Sequence, residues 1–254
     1  MNNKTALILG ANSDIAKKLI YIFAENKFNL ILTARDIEQI KTLKSDLEIK
    51  FDIKVENVTF DILNTDKHLE FYKSLNITPD VVVSAIGFMG EQKEAFVNFS
   101  HAKEIIDTNL TAQISIIDII ANDMKTKNDK SENKTKYCII GISSVAGDRG
   151  RSENYVYGAA KSAFTTYLSG LRGTLKKYNI NIITVKPGLI ATKMTEHLSF
   201  PKLLFAKPET VAKDIFKAYR KSKHIIYTPK TWRIIMAILK FLPERLYLRA
   251  FGVK

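Results

Sequence analysis

Cysteine is nearly absent from this chain. The single thiol, Cys138, excludes an internal disulfide framework and a thiolate metal site, and it suits a reducing compartment. Long apolar runs are missing too: none reaches the roughly 18 residues needed to cross a bilayer. The opening residues, MNNKTALILGANSD, have neither the apolar core nor the cleavage site of a signal peptide. The four histidines, His68, His101, His197 and His224, form no metal-ligand spacing, so no metal is expected. Acids are scarce, 26 Asp+Glu against 39 Lys+Arg, a formal net charge of +13. That excess points to an anionic partner, yet no nucleic-acid motif or aromatic-basic repeat accompanies it, so nucleic acid is not expected. What is present is apolar material: 46% of 254 residues is hydrophobic, ample for a packed core and incompatible with disorder as the main state.

The charge is uneven. Residues 198–254 hold 13 Lys+Arg against Glu209, Asp214 and Glu244, so +10 of the +13 belongs to the C-terminal segment. The preceding part alternates β-branched runs with amphipathic stretches. Strands are expected at Ala6–Leu9, Phe28–Thr33, Val55–Phe60, Val81–Ala85, Tyr137–Ile142 and Ile180–Lys186. Several are apolar throughout, as strands covered on both faces of a parallel sheet must be. Helices are expected over about 14–26, 36–50, 65–75, 100–123 and 155–178, with residues 124–136 as an exposed polar loop. The fold class is therefore α/β: a single Rossmann-type doubly wound parallel sheet with helices on both faces. A helix over Pro208–Ser222 and a last strand at His224–Tyr227 follow. Then comes a C-terminal amphipathic helical extension from Thr231 to Phe251, interrupted at Pro243. Residues 1–229 read as the catalytic unit and 230–254 as a basic extension of the same domain.

Three motifs carry chemistry. Gly10-Ala-Asn12-Ser13-Asp14-Ile15 joins the first strand to a helix, where backbone N–H groups and the helix dipole favour a pyrophosphate. Asp14 is read as a cap of that helix, because a carboxylate beside a pyrophosphate is otherwise repulsive; a plain strand–turn–helix is the alternative. After the second strand, an acid suited to the ribose of NAD is replaced by Ala34 and Arg35. Arg35 can take the 2′-phosphate of NADP, or simply sit solvated in a loop. Tyr157 and Lys161 stand at i, i+4 on one helix face. An ammonium near a phenol lowers its pKa and lets Tyr157 give a proton to a carbonyl oxygen. Ser144, at the end of the fifth strand, can bond the same oxygen, and Pro187-Gly188-Leu189-Ile190-Ala-Thr192 brings a rigid turn to the same sheet edge.

Together these residues resemble the short-chain dehydrogenase/reductase family over about residues 4–192. Gly10 falls in that family's cofactor turn, which here departs from the family pattern at Leu9, Asp14 and Ala16. Asp61 matches the acid that approaches the adenine. Ala85 and Gly87 fall in the segment that is often NNAG, of which only Gly87 is retained. Asn109, Ser144, Tyr157 and Lys161 fill the catalytic tetrad, and Pro187, Gly188, Ile190 and Thr192 match the nicotinamide segment. The resemblance implies NADP as cofactor, with NADPH preferred over NADH. It implies hydride transfer to a substrate ketone, with Tyr157 as proton donor and Lys161 holding the nicotinamide ribose. Asn109 is implied to fix a water connected to Lys161, and a homo-oligomer is implied as well.

Residues 193–207 would form a substrate lid. Its apolar, mildly basic character suits a lipid-like or anionic substrate. Trp232, Ile235, Met236, Leu239 and Leu242 share a helical face, and Arg233 and Lys240 form a polar stripe. That pattern fits packing on the body or an interfacial helix on a membrane, and its length disfavours a true span. The tail and the Ser-Asp-Ile turn are similar, more loosely, to the decaprenylphosphoryl-2-keto-erythro-pentose reductases. That branch implies a small-molecule or lipid-linked carbonyl substrate, a keto-sugar on a polyprenyl phosphate, and a cytoplasmic location at the inner membrane face. A soluble ketoreductase of steroid, acyl or xenobiotic carbonyls is the alternative, and a non-catalytic dinucleotide-binding scaffold is the second.

Overall fold

Seven strands lie side by side in the order β3-β2-β1-β4-β5-β6-β7, every neighbouring pair parallel. The computed structural model describes residues 3–196 and 205–251. In chain order the elements begin β1 (Thr5–Leu9), α1 (Asp14–Glu25), β2 (Asn29–Ala34), α2 (Glu38–Phe51), β3 (Val55–Thr59), α3 (His68–Ser74) and β4 (Val81–Ser84). They continue α4 (Gln92–Val97), α5 (Phe99–Ile106), α6 (Ala112–Asp129), β5 (Tyr137–Ile142), α7 (Tyr155–Leu175) and β6 (Ile180–Pro187). The last are α8 (Pro208–Arg220), β7 (Ile225–Thr228), α9 (Thr231–Phe241) and α10 (Glu244–Phe251).

The all-apolar strands are explained by what covers them. Successive residues of a strand point to opposite faces, and here both faces are dry. Ala6 and Ile8 pack with Leu19, Phe23 and Ile215 of α1 and α8. Leu7 and Leu9 pack with Ile116, Ile120, Phe164 and Leu168 of α6 and α7. Burying a Leu or Ile side chain contributes about 1.5–3 kcal/mol, so each strand is held from both sides. Cys138 lies inside this core, and burial pushes its thiol up to about 12, which makes it a small apolar filler as expected.

The chain order reverses between β1 and β4, so their carboxyl ends part and open a crevice. Two departures from expectation bear on what surrounds it. The stretch expected as one helix from 100 is broken by a π-helical turn at Asp107–Thr111, which places Asn109. The stretch expected as a loop from 124 is helical as far as Asp129. Asn128 explains this: its amide donates to Thr135 O and Tyr178 O, both at 2.7 Å, and accepts from Thr135 N. That buried amide secures a helix end which composition alone reads as solvated. Helix α4 was not expected from the sequence.

Candidate active site

The first turn is set by Gly10. Its φ is +85°, and a Cβ there would lie 2.7 Å from Ile86 Cγ1. Gly10 N donates to Thr33 Oγ1, and Ser13 N to Gly10 O, which folds the turn directly into α1. Ser13 is the N-cap of α1 but no side chain caps the helix, so its first N–H groups face the cleft mouth. The expectation that Asp14 caps α1 is corrected. Asp14 is already helical, and its Oδ2 accepts from Lys193 N at 2.9 Å, across the crevice. The carboxylate is thereby turned toward the segment after β6.

A cleft of about 740 Å³ runs from this turn to α7. It is lined by Gly10, Asn12, Ser13, Asp14 and Ile15 at one end, with Arg35 and Asp61 beyond β2 and β3. Ala85 and Gly87 follow β4, and Pro187, Gly188, Ile190 and Thr192 follow β6. Ser144, Tyr157 and Lys161 form its far wall. The structure thus brings together every expected site residue except Asn109, which is fully buried behind that wall. A larger, shallower hollow of about 1000 Å³ outside the Asp14–Lys193 contact is lined by Lys17, Tyr21 and Asp46 and contains none of the tetrad.

Each member of the tetrad is fixed by its own element. Ser144 ends the β5 edge and caps a short 3-10 turn, its Oγ accepting from Ala146 N at 3.1 Å. Tyr157 and Lys161 are one turn apart on α7, with Nζ 5.6 Å from the phenol ring centroid. Lys161 Nζ donates to Ile142 O at 3.1 Å. Asn109 accepts from Phe88 N at 3.2 Å and donates to Ile105 O at 2.8 Å and to Phe88 O. These bonds hold the segment after β4. A Cβ on Gly87 would meet Asn109 Oδ1 at 3.3 Å and Lys161 Nζ at 3.6 Å, so glycine here keeps the lysine end accessible.

The electrostatics correct one expectation. Lys161 was expected to lower the Tyr157 pKa. Instead burial pushes Tyr157 up to about 12, and the neighbouring Ser144 hydroxyl opposes this only in part. Burial also pushes Lys161 down to about 7. The phenol therefore holds its proton at neutral pH.

Sequence reasoning missed Phe88, Met89, Arg151 and Asn154 on the cleft wall. Arg151, six residues before Tyr157, was the only one with a legible signal. The loop carrying it is anchored on both sides. Asp148 pairs with Lys186 in the interior and accepts from Tyr227 Oη at 2.8 Å. Arg149 pairs with Glu244 and lies 4.5 Å over the Tyr247 ring, whose hydroxyl donates to Gly150 O at 2.8 Å. Helix α7 is capped across the chain, its Val156 N donating to Gln92 Oε1 at 3.0 Å.

Of the expected lid, residues 197–204 lie outside the described residues, and so does His197. The flanks meet: Ala206 N donates to Leu189 O and Ala191 N to Ala206 O, both at 2.9 Å. His68 is buried between Ser115 Oγ and Ile62 O at 2.9 Å each, a packing role. Among the described residues no cluster of His, Cys, Asp or Glu could hold a metal.

The model of the family described as short chain dehydrogenase matches residues 4–201, and the chain belongs to that family. It is an oxidoreductase of the kind that acts on alcohol and carbonyl groups. An uncharacterised oxidoreductase of Mycobacterium tuberculosis is 29% identical over 96% of this chain and 95% of its own length. An NADP-dependent 3-hydroxy acid dehydrogenase of Schizosaccharomyces pombe is 28% identical over 77% of this chain and 74% of its own. A short chain dehydrogenase from Burkholderia cenocepacia, solved in complex with NADP, superposes with a TM-score of 0.79 at 18% identity. It covers 100% of this chain and 98% of that one.

Proposed function

We propose that this protein is an NADPH-dependent carbonyl reductase in which Tyr157 gives its proton to the substrate oxygen. The observation that carries the reading is the convergence of Ser144, Tyr157 and Lys161 on the cleft that begins at Gly10. The wall fits a dinucleotide: a glycine turn no side chain could enter, free N–H groups at α1, and Arg35 exposed at the opposite end. Bound NADPH supplies the hydride. Ser144 orients the carbonyl oxygen, and Tyr157, whose proton is held well past neutral pH by burial, gives that proton to it. Lys161 is placed to hold the nicotinamide ribose. Asn109 acts as a positioning residue through Phe88 and Ile105. Residues 1–229 serve as the catalytic unit, and a homo-oligomer is part of the same reading. NADPH oxidation against a panel of ketones, a prenyl-phosphate keto-sugar among them, tests it. Reduction of only small soluble carbonyls would favour the soluble ketoreductase, and no turnover with cofactor still bound would favour the scaffold.

Arg35 sets cofactor choice. Charge-assisted bonds of a guanidinium contribute about 1.5–3 kcal/mol, so Arg35→Ala should weaken NADPH by about tenfold or more and NADH by less than about twofold. Fluorescence titration with both cofactors checks this, and equal losses would refute it.

The tail supports a peripheral membrane reading and hence a lipid-linked substrate. Helix α9 turns Met236 inward, while Ile234, Ile238 and Phe241 are 68%, 61% and 88% exposed, and Arg233 and Lys240 flank them. An apolar face with a basic rim is what an anionic lipid surface accepts. Flotation of the full chain with phosphatidylglycerol vesicles should recover bound protein. A variant with Ser at 234, 238 and 241 should remain unbound, and equal partitioning of the two would count against the reading. No helix among the described residues is long and apolar enough to cross a membrane.

A further inference from the structure

The charges on the loop between β5 and α7 are answered from within the chain, with one exception. Asp148 is paired with Lys186, Arg149 with Glu244, and Glu153 accepts from Ser152 Oγ at 3.0 Å. Arg151 is held differently. Its guanidinium lies 5.9 Å from the Trp232 ring centroid, and its Nη2 donates to Met236 Sδ at 3.7 Å. Among the described residues no carboxylate lies within ion-pair distance of it. Trp232 is itself seated on Gly188, where an added Cβ would fall 1.9 Å from Trp232 Nε1. An aromatic face and a thioether fix the position of a guanidinium without neutralising it, and no carboxylate among the described residues engages its planar fork of N–H donors.

Arg151 also lines the cleft that holds Tyr157, and through Trp232 it is braced on Gly188 of the segment after β6. A cation held in place on a cleft wall without a counter-charge attracts an anionic ligand. Of the acids that line the cleft, Asp14, Asp36, Asp61 and Glu104, none makes an ion pair with Arg151. We infer that Arg151 is the anion clamp of the substrate subsite, and that the carbonyl compound reduced at Tyr157 carries a phosphate or carboxylate that docks on its guanidinium. The inference rests on the reductase reading above and adds the substrate class.

Trp232 is the chain's single tryptophan, so its emission reports on Arg151 without any turnover. The probes are two matched pairs added to NADP-loaded protein: dihydroxyacetone phosphate with dihydroxyacetone, and acetoacetate with its methyl ester. The anionic member of at least one pair should perturb Trp232 emission at a concentration about tenfold or more below its neutral partner, as a charge-assisted bond implies. The pair that responds distinguishes phosphate from carboxylate. Arg151→Gln should bring each preference within about twofold while leaving NADP affinity and binding of the neutral members unchanged, and Arg151→Lys should restore part of the preference. Where an anionic member is turned over, Arg151→Gln should raise its KM about tenfold with kcat retained.

Equal affinity within both pairs in the wild type overturns the proposal, as does a preference that survives Arg151→Gln. Equal losses for charged and neutral members would make Arg151 a loop brace and also overturn it. Weakened NADP binding would assign it to the cofactor instead. Failure of the reductase reading is separate: NADPH would not be oxidised by any ketone, whatever the tryptophan reports.

Discussion

Tyr157→Phe should leave NADPH binding within about threefold of the wild type and lower turnover by roughly 10²–10⁴-fold, the usual contribution of a positioned acid–base group. The substitution is clean for a physical reason. The Tyr157 ring is buried among Ala95, Ala102, Ile105 and Ala146, and phenylalanine keeps those contacts. Ser144 keeps its bond from Ala146 N and loses only the phenol oxygen beside its hydroxyl. Thermal stability should change by no more than about 1 kcal/mol, the usual worth of one hydrogen bond. Cofactor titration, nicotinamide absorbance and a melting curve test this together. Near wild-type turnover would remove Tyr157 from the chemistry.

Lys161→Met should have the second largest effect, in opposite directions on activity and stability. Loss of the group aimed at the cofactor ribose should lower turnover by about 10²–10³-fold. Stability should rise at neutral pH. The unfolded chain holds this proton up to about pH 10.5, whereas the folded chain releases it near 7. Between those values the unfolded state binds more protons, so wild-type stability rises with pH; below about 7 the cost of burying the ammonium is fully present. Each pKa unit between the two states corresponds to about 1.4 kcal/mol, and the lost bond to Ile142 O offsets about 1 kcal/mol. The net effect at pH 7 is stabilising, and the variant should melt several degrees above the wild type. The gain should vanish as pH approaches 10.5. Melting curves across that range check the sign, and a destabilised variant at pH 7 would refute it. A stabilised variant makes the lysine one of the places where the fold gives up stability to keep a functional group.

How much of this was legible follows from the kind of signal each feature leaves. The strands were readable because two-sided burial writes itself as unbroken apolar runs, as in Leu7, Ile8 and Leu9 or Val81, Val82 and Val83. Ser144, Tyr157 and Lys161 were readable because they come from one strand end and one helix face, so their spacing is local. The end of α6 was not, since a single buried amide at Asn128, bonded to Thr135 and to Tyr178 50 residues away, overrides a polar composition. Asp14 was assigned to its own helix because sequence neighbours are all a sequence displays; its partner, Lys193, is 179 residues on.

The tail makes the same point. Periodicity placed Trp232, Ile235, Met236, Leu239 and Leu242 on one face, of which Met236 is buried, Trp232, Leu239 and Leu242 are half-buried and Ile235 is exposed. It gave no hint that the ring would sit on Gly188 and the sulfur on Arg151. By itself the sequence determined the fold class and the family and singled out Ser144, Tyr157 and Lys161 as candidates, because apolar period and local spacing are properties of neighbouring residues. Only the tertiary structure decided the protonation of Tyr157 and Lys161 and the partners of Asp14, Arg149 and Arg151, because desolvation and long-range pairing exist only once distant segments pack together.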